Sequence, residues 1–183
     1  MDFRAFLKKY DHNERQLVTK VAIGQPCRPG DACNGIMEYE ALWDTGATHS
    51  SINPSAAREC GLIPCGMGIV ARPGKPGGEH TPFSMASLAL RLPANDGVVF
   101  PNVFLVELEC PEHDVLIGMD IISLGDFCLS NVGGEMWFSF RLPSIQRIDL
   151  TISPKPIAPC TCSHEETPYG DCCNNLARTT YLT

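Results

Sequence analysis

The chain breaks into short extended runs closed by glycine-, proline- and asparagine-rich turns, and this spacing confines it to a mostly β fold. Leu17 to Ile23 alternates apolar and polar residues, and Ile36 to Trp43 is a second extended run. Ser84 to Leu92 alternates with Met85, Leu88, Leu90 and Leu92 on its apolar side. Val98 to Leu108 and Val115 to Ile117 follow, and Phe127 to Ser130 with Met136 to Leu142 form a hairpin around Gly133-Gly134. Phe3 to Tyr10 reads as a short amphipathic helix, and Gln25 to Asn34 as a loop. There is no internal repeat. Many short strands with turn signals imply an all-β barrel or sandwich.

The run ending at Trp43 delivers Asp44-Thr45-Gly46-Ala47-Thr48-His49-Ser50-Ser51-Ile52. Asp, Thr and Gly are also ordinary turn residues, so the triplet alone is weak. Its chemistry becomes specific if two such carboxylates meet. Two in contact cannot both ionise, so they share a proton. The ionised one takes a proton from water and the protonated one donates to a carbonyl oxygen. Gly46 lets the loop approach the carboxylates closely. The hydroxyls of Thr45, Thr48 and Ser50 are available to satisfy buried backbone and carboxylate groups. Downstream, Asp114-Val115-Leu116-Ile117-Gly118-Met119-Asp120-Ile121-Ile122 is an apolar strand that ends in glycine and passes into a helical turn.

Together these two segments resemble the retropepsin-like aspartic proteases, over roughly Leu17 to Leu150. The resemblance implies a retropepsin-like closed barrel with a flap hairpin and one or two short helices. It assigns catalysis to Asp44, with Thr45, Gly46, Ala47 and Thr48 supporting the active-site loop. It also implies a helix-prone stretch at Pro54 to Leu62 and a flap with its tip near Arg72 to Gly78, where Val70 and Phe83 flank the tip. Gly125-Asp126-Phe127 and Phe138-Ser139-Phe140-Arg141 look like the bacterial members. Met119-Asp120 departs from the viral pattern. Because Asp-Thr-Gly occurs once, the chain needs a second copy of itself, and a homodimer is expected.

Composition fits such a domain. Charged residues are 19% and hydrophobic ones 44% of 183 residues, which argues against disorder. A net charge of −7 with scattered basic residues argues against a nucleic-acid partner. Met1-Asp2-Phe3-Arg4 does not begin an export signal and no stretch reaches a membrane span, so a cytoplasmic protein without a membrane partner is expected.

From Pro154 the composition shifts to a stiff proline-rich linker and then to Cys160-Thr161-Cys162 and Cys172-Cys173. Four thiolates at such spacing can close a tetrahedral zinc site, with His164 as a spare ligand. Redox-active or incidental thiols are the other readings. The pattern resembles the zinc-binding SEC-C tail of the SecA translocation motor, with Tyr169 as the aromatic between the pairs. The expected organisation is therefore an N-terminal extension 1–16, a protease domain 17–150, a linker 151–159 and a zinc-binding tail 160–183. Cys27 and Cys33 flank a Gly-Asp turn and are able to pair if oxidised, but they, with Cys60, Cys65, Cys110 and Cys128, are read first as packing residues, and His49 as structural or solvent-facing. No cofactor is expected for catalysis.

The expected function is an aspartic endopeptidase cleaving peptide or protein substrates. The alternative is a non-catalytic peptide-binding and dimerisation module docked through its tail.

Overall fold

The computed structural model describes residues 4–12, 14–28, 35–72, 75–90 and 98–151. Ten strands and two short helices make up the described part of the chain. By contact density the chain divides into Met1–Arg147 and Ile148–Thr183. In the second unit only residues 148–151 are described, and there Asp149 Oδ1 accepts from the Thr151 amide at 3.0 Å.

The larger sheet runs β2(Leu17–Gly24), β3(Met37–Trp43), β8(Val115–Ile117), β4(Ser51–Ile52), β7(Val98–Glu107), β6(Lys75–Leu90) and β5(Pro64–Arg72). β2 also pairs with β6, Val21 opposite Leu90 through Gly24 opposite Ser87. The pairings from β2 through β3, β8, β4, β7 and β6 therefore return to β2 and close a barrel. β5 hangs outside that ring as the second arm of a long hairpin with β6. Closure removes the sheet's edges except along β5. The interior is filled by Val21, Ile23, Ala41, Ile52, Leu88, Leu105, Val115 and Ile117, each 1% exposed or less. That dense apolar filling is what holds strands of two to sixteen residues in register.

A second sheet, β1(Arg4–Tyr10), β10(Glu135–Leu142) and β9(Asp126–Val132), is antiparallel. The β9–β10 turn is Gly133-Gly134 with φ of 64° and 84°, a two-residue loop whose handedness only glycine takes at no cost. Phe127, Phe138 and Phe140 from this sheet surround Trp43 of β3 at centroid distances of 5.0–6.0 Å, and Phe6 of β1 lies 5.9 Å away. The Trp43 indole N–H donates to the buried Thr19 hydroxyl at 2.8 Å.

The expected helix at Phe3 to Tyr10 is not formed; residues 4–10 are a strand. The segment is too short to hold a helix alone, and β10 offers it backbone partners from Leu142 to Met136. Alternate side chains then find uses: Phe6 joins the aromatic cluster, while Lys8 Nζ and Tyr10 Oη donate to the Val18 carbonyl at 2.6 and 3.1 Å.

The two helices are α1(Pro54–Glu59) and α2(Met119–Ile122). α1 begins with proline at its first turn and is closed by Gly61 at φ 66°, whose amide donates to the Arg58 carbonyl. It is shorter than the stretch to Leu62 expected from sequence. No helix among the described residues is long and apolar enough to cross a membrane.

Candidate active site

The two sequence segments that carry the motif lie side by side. β8 pairs in parallel with β3, Trp43 opposite Ile117, and the Asp44 amide extends that ladder by donating to the Ile117 carbonyl at 2.9 Å. Asp44 leaves the barrel there, half-buried. Its Oδ1 accepts the Gly46 amide at 2.8 Å, and its carbonyl accepts the Ala47 amide at 3.2 Å, so the turn holds the carboxylate in a fixed orientation. A Cβ at Gly46 would stand 3.1 Å from Asp44 Oδ1, which is why the turn leaves that position bare. Ala47 is half-buried, whereas Thr45, Gly46, Thr48 and His49 face outward.

Behind the exposed loop lies a brace in which sequence reading found Ser50 but missed the role of Asp120. Ser50 is fully buried. Its hydroxyl accepts from the Gly118 amide at 3.0 Å and donates to Asp120 Oδ1 at 2.7 Å. Both Asp120 oxygens accept the Ser50 amide at 3.0 Å, and Oδ1 also takes the Ile121 amide. The Met119 amide closes the arrangement on the Ala47 carbonyl at 2.8 Å. Asp120 thus ties α2 to the loop carrying Asp44. Of the three hydroxyls expected to satisfy buried groups, Ser50 does so, while Thr45 and Thr48 are exposed. Asp120 could have been suspected only from its place two residues beyond Gly118.

Gly118 permits this close approach. A Cβ there would meet the His49 carbonyl carbon at 2.6 Å, its oxygen at 2.7 Å and the Ala47 oxygen at 3.0 Å. All three are backbone atoms that cannot rotate aside. Gly118→Ala is therefore expected to lower stability by roughly 1–3 kcal/mol and to displace the Asp44 loop. Urea unfolding and peptidase assays on the same sample check this; an unchanged midpoint and rate would remove the close packing from the account.

The flap expected near Arg72 to Gly78 is the β5–β6 hairpin, with Arg72 opposite Lys75. Gly77 and Gly78, at φ of 86° and 76°, lie in β6 beyond the turn. Gly66 makes room for the Phe83 ring: its missing Cβ would stand 2.4 Å from Phe83 Cζ. Between this hairpin, β7 and α2 lies a cavity of about 760 Å³ that includes Val70 and Phe83 but not Asp44.

The cysteines divide. Cys60 is buried at 1% exposure and packs as expected, burial pushing its thiol pKa up. Cys65 is exposed, Cys110 and Cys128 are half-buried, and Cys27 is disulfide-bonded rather than a packed thiol. Among the described residues no group of His, Cys, Asp and Glu is placed to hold a metal. Cys33, Cys160, Cys162, Cys172, Cys173 and His164, and with them the zinc reading and the SEC-C resemblance, lie outside the described residues.

Residues 32–121 match the family model described as aspartyl protease. Among solved structures, a retropepsin-like aspartic protease from Rickettsia conorii is 10% identical, with 78% of this chain and 98% of that one covered at a TM-score of 0.47. The retroviral protease-like domain of Ddi1 from Leishmania major is 16% identical, with 75% and 100% covered at a TM-score of 0.38. No curated protein sequence matches the chain.

Proposed function

From the match of residues 32–121 to the family model described as aspartyl protease, we propose that this chain is an aspartic endopeptidase active as a homodimer, each subunit supplying Asp44. The observation that carries this reading is the half-site itself. The sequence holds one Asp-Thr-Gly, and its carboxylate sits in a braced turn whose neighbours Thr45, Gly46 and Thr48 face outward. A second copy brought against that face supplies the missing carboxylate and removes both from bulk water.

In the paired site the two Asp44 groups share one proton and titrate as a unit. The ionised carboxylate takes a proton from a water lying between them as its oxygen attacks the peptide carbonyl. The protonated one donates to the carbonyl oxygen. Collapse of the tetrahedral intermediate breaks the C–N bond, and a proton passes to the leaving amine. The substrate is an extended peptide, its backbone lying against the flap as an added strand. Thr45, Gly46, Ala47 and Thr48 shape the loop and meet their counterparts across the interface. The zinc tail at Cys160, Cys162, Cys172 and Cys173 and a cytoplasmic location belong to the same reading.

The test is digestion of unfolded casein between about pH 4 and 7, read by mass spectrometry at increasing protein concentration. Cleavage is expected, with a rate per subunit that rises and then levels as dimers fill. A rate per subunit independent of concentration, in a sample that sediments as monomer, overturns the shared site. Absence of cleavage overturns the peptidase.

A further inference from the structure

The β5–β6 hairpin is joined to the barrel at its root. Toward its C-terminal end β6 pairs with β7, from Phe83 opposite Val106 to Leu90 opposite Val98. From Lys75 to Pro82 its strand partner, among the described residues, is β5. β7 changes partner at the same place. The Val106 and Leu108 amides donate to the Ser50 and Ile52 carbonyls at 3.0 and 3.1 Å. The backbone pairing of β6 with β7 therefore stops at Phe83 and Val106.

Two side-chain hydroxyls take over where it stops. Thr81 donates to the Glu107 carbonyl and Ser84 donates to Glu107 Oε1, each at 2.5 Å. Ser84 is 0% and Thr81 4% exposed, and Glu107 is half-buried. Buried hydroxyls need partners, and both find theirs on one residue. Glu107 in turn stands opposite Ile52 of β4. Two residues before Ile52 is Ser50, whose amide and hydroxyl engage Asp120 in the brace behind the Asp44 turn. One residue thus joins the root of the hairpin to the strand that supports the carboxylate.

The arms of the hairpin are packed closely on each other. A Cβ at Gly66 would stand 2.4 Å from the Phe83 ring, and one at Gly78 would stand 2.6 Å from Ile69 Cγ2. Arms in such contact move together, so the swing of the hairpin is set at its root.

We infer that Glu107 is a positioning residue, a latch that fixes the root of the β5–β6 hairpin and governs how far it swings from the Asp44 turn. That the swing admits and encloses a substrate rests on the peptidase reading; the latch itself does not.

The test is hydrogen–deuterium exchange of the full chain, read by mass spectrometry, comparing β5 and residues 75–82 with β2 and β3. Thr81→Val is isosteric and removes one hydroxyl. Glu107→Ala removes the acceptor of the other, and Glu107→Gln keeps an oxygen in its place. Thr81→Val and Glu107→Ala are each expected to speed exchange in the hairpin at least about tenfold, the scale of one lost hydrogen bond between buried groups, with β2 and β3 unchanged. Glu107→Gln is expected to recover most of the protection. Hairpin exchange unchanged in the first two variants overturns the latch. So does equal acceleration in β2 and β3, since the bonds then support the whole barrel, and so does Glu107→Gln exchanging as fast as Glu107→Ala. Valine suits a strand, so Thr81→Val decides the matter even where Glu107→Ala fails to fold. Casein digestion by the wild type separates the two readings. Cleavage with hairpin exchange untouched by the variants removes the latch alone; a loosened hairpin without wild-type cleavage keeps the latch and removes the peptidase.

Discussion

Asp44→Asn is expected to abolish peptide hydrolysis, lowering the rate by at least ~10³, because an amide neither takes a proton from water nor shares one with a partner carboxylate. The substitution is close to isosteric. Asn keeps an oxygen able to accept the Gly46 amide, now held at 2.8 Å by Asp44 Oδ1, so the turn and the fold should survive. The thermal midpoint should therefore move little while activity disappears. A further consequence follows from the proposed homodimer. Excess Asp44→Asn chain mixed into wild type should suppress activity beyond simple dilution, because mixed dimers carry one carboxylate. Casein cleavage by the pure variant within tenfold of wild type would sink the assignment of Asp44. Dilution-only behaviour in the mixture would sink the homodimer.

Trp43→Ala is expected to destabilise the protein by about 3–5 kcal/mol. Trp43 is 4% exposed and meets rings of Phe6, Phe127, Phe138 and Phe140, so its removal leaves a cavity where the smaller sheet contacts the barrel. It also strips the Thr19 hydroxyl, 8% exposed, of its indole donor at 2.8 Å. In a domain of this size that corresponds to a fall in thermal midpoint of roughly 10 °C or more. Trp43→Phe restores part of the ring volume and should recover more than half of the loss. Urea unfolding by far-ultraviolet circular dichroism measures both. A loss below about 1 kcal/mol for the alanine variant would show that the second sheet contributes little to holding β3. Since Asp44 is the next residue, the same variant should lose activity before it unfolds.

These two residues show how unevenly the chain announces itself. Asp44 could be found from sequence because the chemistry and the turn are written in neighbouring residues: an extended run, an acid, a small polar residue, a glycine. The Gly133-Gly134 hairpin and the start of α1 at Pro54 were legible for the same reason, since backbone handedness and the missing proline N–H act within a few residues. Gly118 was visible as a punctuation mark, but its purpose was not. That depends on the His49 and Ala47 carbonyls, some seventy residues away in the chain. Phe3 to Tyr10 misled because Phe3, Phe6, Leu7 and Tyr10 fall at helical spacing as readily as Phe6 and Tyr10 fall on one side of a strand. Hydrogen bonding to β10, which no local pattern encodes, decided between them.

The local chemistry of the chain is written in its residue order: an acid-bearing turn after an apolar strand, present once, and the short strands and turns able to surround it. Local sterics suffice for that. Three-dimensional packing was needed to reveal that β8 lies against β3, that Asp120 reaches back to hold Ser50, that β2 meets β6 to close the barrel, and that the β5–β6 hairpin and α2 enclose an apolar cavity. Those contacts join residues far apart in the chain. They exist because burying the barrel interior and the Trp43 cluster outweighs the entropy of closing the intervening loops, and that balance is a property of the whole fold.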